Sequence, residues 1–445
     1  MTRPPTRSAG RPSTRPASRR PGPTSAPGLP AREAAARLLA GVLRDHRALG
    51  DQIGSLDRLA PPDRARAQAL ATATLRHLGR IDAFLDHFLT RRPPAPALDA
   101  LRLATTELRV HGIPPHAAVD AAVRLVSAGK NRTLAGLVNA VARRVADAAE
   151  LWEATPEAPL ADWLARPIAA AWGKAAAERI ALVSRQPSPV DLTLRDPSTA
   201  SALAAELGAT LLPTGSLRLA TPGQVSALPG FDAGAWWVQD AAAALPMRLL
   251  PDVAGRRVLD LCAAPGGKSL QLAAAGAEVT SLDISEARLG RLRDNLARTQ
   301  LAAELVAADA LAWTPDAPYD AILLDAPCSA SGTLRRHPDL AYLPRDLAPL
   351  ITLQDALLDR AWGWLAPGGH LVFCTCSLFP AEGEERIARF LAGHPEATVL
   401  PADPARLGVE PAWIDASGAL RTRPDFWPGE GGVDGFYAAC ITAPS

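Results

Sequence analysis

The chain has 445 residues, 48% of them hydrophobic, and a formal net charge of +1. That length suits about three domains, and so small a net charge excludes a uniformly basic nucleic-acid coat. No apolar run reaches the ~18 residues a membrane-spanning helix requires. The five cysteines, none before Cys262, make an odd set, which excludes a secreted disulfide framework and favours reduced thiols in the cytoplasm. Cys262, Cys328, Cys374, Cys376 and Cys440 contain no C-x2-4-C hook, so no metal is expected. A monomer with no membrane contact is the expectation.

Charge is uneven along the chain. Residues 1–30 hold six arginines, eight prolines and no acid, a composition too poor in large apolar groups to fold, so a disordered basic tail is expected. Residues 31–150 hold 18 Lys+Arg against 12 Asp+Glu, which leaves residues 151–445 with net charge −11. A basic first third suits contact with phosphates.

Residues 31–150 read as an all-α domain of five to seven helices. AREAAARLLAGVL, RARAQALATATLRHLGRIDAFLDHFL, ALDALRLATTELRV, HAAVDAAVRLVSAG and LAGLVNAVARRVADAA place apolar residues at helical spacing. The proline pairs at 61–62, 93–94 and 114–115 punctuate them. IPPHAAVDAAVRLVSAGKNRTLAGLVNAVARR, residues 113–144, resembles the core of the NusB-like RNA-binding fold. Lys130, Asn131, Arg132, Arg143 and Arg144 are its candidate phosphate contacts.

Residues 151–250 are mixed. Helical segments near 160–184 precede SPVDLTLRD, which alternates like a strand; ALAAELGAT follows as a helix, then LLPTGSLRLA and GAWWVQD. A small α/β linker or RNA-binding module is expected.

Residues 251–445 alternate strand and helix in the manner of a mostly parallel, Rossmann-like sheet. The strands are RRVLDLC (256–262), AEVTSLD (277–283), AELVAAD (303–309), YDAILLD (319–325) and HLVFCTC (370–376). LRTRP and GFYAACIT suggest an antiparallel hairpin at the sheet's edge. Ligands of such sheets bind beyond the carboxyl ends of the strands. There the five strands deliver Asp260 with Cys262, then Asp283, Asp309, Asp325 and Cys376.

Asp260-Leu-Cys262-Ala263-Ala264-Pro265-Gly266-Gly267-Lys268 links a strand to a helix. Its glycines admit close backbone approach and the helix N-terminus attracts an anion. It lacks the G-x-G-x-x-G of dinucleotide sites, so a carboxylate such as the methionyl end of S-adenosylmethionine suits it better. Asp283 stands 23 residues after Asp260, where an acid commonly bonds ribose hydroxyls, and Asp309 would approach the adenine amino group. Taken in order, these favour a nucleoside ligand.

DLCAAPGGK, DAPCSASG and TCS, with VQDAAA, RRHPD, APGGHLVFCTCS and DGFYAA around them, resemble the Sun (Fmu) family of RNA cytosine-C5 methyltransferases. With the NusB-like N-terminus, the resemblance covers residues 31–443 and points to the bacterial branch acting on 16S ribosomal RNA. It implies cofactor contacts at Cys262 through Lys268, Asp283, Asp309 and Asp325. It also implies Cys376 as nucleophile and Cys328 as a second cysteine that assists product release.

The chemistry agrees. Carbon 5 of cytosine is too weak a nucleophile until a thiolate adds to carbon 6. Asp325, protonated or sharing a proton at N3, would then hold the charge that develops, and a positive charge such as that of Lys268 would depress the thiol pKa. The base must leave its stack, so single-stranded or loop RNA is the expected substrate. Cys374 and Cys440 read as small core hydrophobes, and Arg335, Arg336 and His337 as phosphate or sugar contacts. Three alternatives stand beside this reading. One is a DNA cytosine methyltransferase using Pro327-Cys328. Another is a transfer-RNA methyltransferase. The third is a non-catalytic RNA-binding ribosome-assembly factor.

Overall fold

The structure is a computed structural model that describes residues 1–2, 28–128, 131–221 and 223–444. The expected basic tail and Lys130 lie outside the described residues. Seven α-helices open the described chain: α1 Leu29–Leu43, α2 Leu49–Gln52, α3 Pro61–Arg76, α4 Leu78–Asp86, α5 Ala95–Arg109, α6 Pro115–Ser127 and α7 Ala135–Asp147. Prolines sit in the first turns of α1, α3, α5 and α6, where the missing N–H has no helical partner to lose. α5 is the central helix: Ala97 through Glu107 are all buried.

Three helices, α8 Ala149–Ala154, α9 Asp162–Trp172 and α10 Lys174–Ser184, lead to a four-stranded antiparallel sheet. Its strands β1 Val190–Leu194, β2 Thr210–Leu211, β3 Leu217–Leu219 and β4 Trp236–Val238 lie in the order β2-β3-β1-β4, with α11 Ala200–Leu207 between β1 and β2 in sequence.

The C-terminal sheet contains β5 Arg257–Leu261, β6 Glu278–Asp283, β7 Glu304–Ala307, β8 Tyr319–Asp325, β9 Leu365–Thr375, β10 Thr398–Leu400, β11 Leu420–Arg421 and β12 Tyr437–Thr442. The order is β10-β12-β9-β8-β5-β6-β7, with β11 also paired to β12. The five strands β5, β6, β7, β8 and β9 are parallel, and β12 is antiparallel to β9, β10 and β11. The expected hairpin of β11 and β12 is there, but it is not the outer edge. β12 lies inside, between β9 and β10, and the three-residue β10 is the outermost strand on that side. Thr398–Leu400 is short and mostly exposed, so it carried no alternation from which a strand could be read.

Alternate residues of these strands face opposite sides. Leu259, Ile322, Leu324, Leu371 and Phe373 meet α14 Leu347–Trp362 and α15 Glu384–Gly393. Val258, Ala321, Leu323, Val372 and Cys374 face Leu272 of α12 Gly267–Ala274 and the 245–253 segment. α13 Glu286–Thr299 packs beside α12 through Leu289, Leu292 and Leu296. Burial of both faces explains why these strands read as nearly continuous apolar runs.

One apolar cluster crosses the molecule. Leu38, Leu39 and Leu70 of the helical region join Leu164, Ile168 and Ile180, and then Leu334, Leu340, Leu343, Leu378 and Phe379. The last five flank the two cysteine-bearing loops. Polar contacts pin the same junction: Leu49 N donates to Asp339 at 2.9 Å, Tyr342 Oη to the Leu75 carbonyl at 2.9 Å, and Trp172 Nε1 to the Leu378 carbonyl at 2.9 Å.

Candidate active site

β5 ends at Leu261, and Cys262 turns the chain with φ 62°. The Ala264–Pro265 bond is cis, and Gly266 has φ 105°. A Cβ on Gly266 would lie 2.2 Å from Leu292 Cδ1, so only glycine fits there. The loop is tied to β6: Ala263 N donates to the Leu282 carbonyl at 3.0 Å, and Ala264 N to Asp283 Oδ2 at 3.1 Å. Asp283 Oδ1 accepts from Ser285 N at 2.9 Å.

Asp260 lies beneath the loop with no exposed surface. Ser269 Oγ donates to its Oδ2 at 2.5 Å, while Oδ1 has no partner. Burial pushes its carboxyl up to about 7. Asp309 is exposed, two residues past β7, and its Oδ1 accepts from Leu311 N at 2.9 Å. Ile284 is 72% exposed and Leu311 is 42% exposed, so each acid has an apolar neighbour at the surface. A glycine cradle opening α12, two spaced acids and two exposed aliphatic side chains fit the methionyl, ribose and adenine parts of S-adenosylmethionine.

Asp325 ends β8 opposite Cys374 of β9. Lys268 Nζ donates to Asp325 Oδ2 at 2.7 Å, and Cys374 Sγ to Oδ1 at 3.5 Å. Burial alone would lower the Lys268 ammonium, but Asp325 outweighs it and raises it overall. Both Asp325 oxygens are engaged, one by Lys268 and one by Cys374. The charge of Lys268 is in turn committed to Asp325, not to a thiol. Cys374 is buried, as expected of a core residue, but it also hydrogen-bonds the acid. Cys440 is buried in the core.

Cys376 follows β9 directly, two residues beyond Cys374 on the same side and thus roughly 7 Å further along the chain. Its Sγ lies 3.5 Å from Cys328 Sγ. The hydrogen bond to Cys376 and burial raise the Cys328 thiol well above its ordinary range. Either thiol can donate in this contact.

The two cysteine loops share an anchor that sequence reading missed. Glu382 is fully buried; its Oε1 accepts from Ser329 N at 2.9 Å and Gln354 Nε2 at 3.1 Å, and its Oε2 from Ser377 Oγ at 2.6 Å. Ser331 Oγ bridges the loops again, accepting from Leu378 N at 2.9 Å. Three glutamates stand at 382, 384 and 385, and nothing local marks Glu382 as the buried one.

Arg335 and Arg336 are not free for RNA. Arg335 is 1% exposed and donates to Asp240 at 3.0 Å and Asp434 at 3.2 Å. Arg336 reaches Asp240 at 2.5 Å and Asp434 at 3.0 Å. Burial alone would raise Asp240, but the two arginines hold it down at about 2. This four-charge knot fixes the loop after Cys328 to the end of β4 and to the start of β12. His337 is exposed, as are Arg132, Arg143 and Arg144 of the helical domain. Among the described residues no cluster of His, Cys, Asp or Glu could hold a metal, and no helix is long and apolar enough to cross a membrane.

A parallel sheet with a glycine turn after its first strand and acids at its carboxyl edge is the architecture of the Rossmann-like methyltransferases. Residues 247–442 match the sequence model of the 16S rRNA methyltransferase RsmB/F family, and residues 29–147 that of the NusB family. The ribosomal RNA small subunit methyltransferase B of Xanthomonas campestris pv. campestris is 37% identical over 95% of this chain and 99% of its own length. That of Klebsiella pneumoniae subsp. pneumoniae is 36% identical over 84% and 93%. The chain belongs to the family of these small-subunit ribosomal RNA methyltransferases. Among solved structures, PH0851 shares the fold with a TM-score of 0.71 at 22% identity, covering 94% of this chain and 99% of its own. A methyltransferase homologue from Pyrococcus horikoshii gives 0.51 at 28% identity, covering 62% and 93%.

Proposed function

We propose that this protein transfers a methyl group from S-adenosylmethionine to carbon 5 of a cytosine in 16S ribosomal RNA, with Cys376 as nucleophile. The observation that carries the assignment is the pair of sulfurs 3.5 Å apart beside an acid, Asp325, that is held by Lys268. Membership of the small-subunit methyltransferase family supports the RNA class. Cys262 through Lys268, Asp283, Asp309 and Asp325 would hold S-adenosylmethionine, which supplies an electrophilic methyl group when bound.

Cys376, having released its proton to water, adds as a thiolate to carbon 6 of a flipped cytosine. The electron pair moves toward N3 and carbon 5. Asp325 and Lys268 face N3 as a charge-paired unit, with Lys268 supplying the proton and Asp325 fixing its place. Once carbon 5 carries the methyl group, its proton must leave before Cys376 can be eliminated. Cys328 would take that proton as a thiolate, having first released its own proton to water, and Lys268 would regain the proton it lent to N3. The helical domain places basic surface, including Arg143 and Arg144, against the RNA backbone.

The test is methyl transfer by the purified protein to small-subunit RNA, with bisulfite sequencing to locate the product, and the same sequencing of total RNA from cells with and without the gene. A cytosine in 16S RNA that loses protection in the deletion supports the assignment. Protection lost only in transfer RNA, or nowhere, refutes it.

A further inference from the structure

A cavity of about 180 Å³ opens where the helical domain meets the loop that follows Cys328. It is lined by Arg76 at the end of α3, His77 between α3 and α4, Arg80 of α4, Glu157, Arg185 and Tyr342 of the loop. Three guanidiniums and an imidazole thus face one carboxylate. Arg80 Nη1 donates to Glu157 Oε1 at 3.2 Å, and His77 Nδ1 lies 3.2 Å from the same oxygen. Arg185 Nε stands 3.9 Å from Oε2.

Arg76 has no acidic partner among the described residues. Its one side-chain bond is to the Arg335 carbonyl, at 2.8 Å. Arg76 Nε and Arg80 Nε are buried without acceptors. Burial alone would raise the Glu157 carboxyl, but His77 and Arg80 bring it below its usual value, so it is ionised. The cavity therefore carries an excess of positive charge even with His77 neutral. A partly buried cation excess is costly unless an anion offsets it, and the planar guanidinium fork matches phosphate oxygens. The volume suits one phosphate group rather than a whole nucleotide.

We infer that this cavity receives a phosphodiester of the RNA substrate and so ties the helical domain, the RNA and the loop after Cys328 together at one point. The inference rests on the RNA reading above. Free inorganic phosphate shares this chemistry, and the test separates the two.

RNA affinity is measured by fluorescence anisotropy over a range of salt with a short single-stranded, cytosine-containing RNA. The full chain is compared with Glu157→Gln and with the double variant Arg80→Gln/Arg185→Gln. Binding of S-adenosylhomocysteine serves as the control for folding. Glu157→Gln is expected to tighten RNA binding about threefold to tenfold at low salt, a gain that no misfolded variant produces. The arginine variant is expected to weaken it about tenfold and to flatten the slope of log affinity against log salt by about 0.7.

Wild-type affinity and slope in both variants would overturn the inference while leaving methyl transfer by the wild type intact. Failure of the wild type to bind RNA would overturn both readings. Calorimetric binding of inorganic phosphate that the arginine variant loses, with RNA affinity unchanged, would make the cavity a free-anion site and overturn the RNA assignment.

Discussion

Replacing Glu382 by Ala tests whether the two thiols are held together by a common anchor. Three donors, Ser329 N, Gln354 Nε2 and Ser377 Oγ, converge on this carboxylate at 2.9, 3.1 and 2.6 Å. Each buried donor left without an acceptor costs about 1–3 kcal/mol. Water entering the vacated volume would satisfy some of them, so a net loss of about 3–5 kcal/mol is expected. Glu382→Gln should cost only about 1 kcal/mol, because one oxygen remains for Ser329 and Gln354 and the Ser377 hydroxyl can turn to accept from the new amide. Urea unfolding measures the stabilities. Trapping of a covalent protein–RNA adduct on denaturing gels reads the thiols. Under conditions where the Ala variant is still folded, its adduct yield should fall much further than that of Gln. A stability loss below about 1 kcal/mol for Glu382→Ala, with wild-type adduct yield, would refute the anchor.

Cys376→Ala should abolish adduct formation and lower turnover by a factor on the order of 10⁴, whereas Cys328→Ala should accumulate adduct because release is blocked; the reverse pattern on a denaturing gel would exchange the two roles. Gly266→Ala places a Cβ 2.2 Å from Leu292 at a φ of 105°, and should weaken S-adenosylhomocysteine binding by more than about tenfold in calorimetry. Asp260 has its carboxyl pushed up to about 7 from 3.8, so the folded state holds a proton that the unfolded chain has released. Stability should therefore fall as pH rises from about 4 to about 7, by roughly 4 kcal/mol at most, and Asp260→Asn should flatten that slope in urea titrations at stepped pH.

Much of the fold was legible because it rests on local periodicity. The five strands through Cys376 read as short apolar runs, their parallel pairing follows from the helices between them, and the helical N-terminus follows from spacings of three to four residues. The acids and cysteines were legible as candidate groups because each stands where an apolar strand run ends. Period two puts Cys374 and Cys376 on one side of their strand, but only the register of β8 on β9 brings Asp325 opposite Cys374, which read from sequence as a small core hydrophobe.

What the sequence by itself determined, then, is which side chains reach the carboxyl edge of the sheet. The partners they meet there were decided only by tertiary closure. Lys268 is 57 residues from Asp325, and Glu382 is 53 from Ser329. Arg335 looked like a surface cation until Asp240 and Asp434, 95 and 99 residues away, closed around it. The physical reason is that periodicity is a short-range property of the backbone, whereas the state of a charge depends on its surroundings. An arginine facing water and one locked in a buried ion knot have the same local sequence signature, and only the packing of distant segments tells them apart.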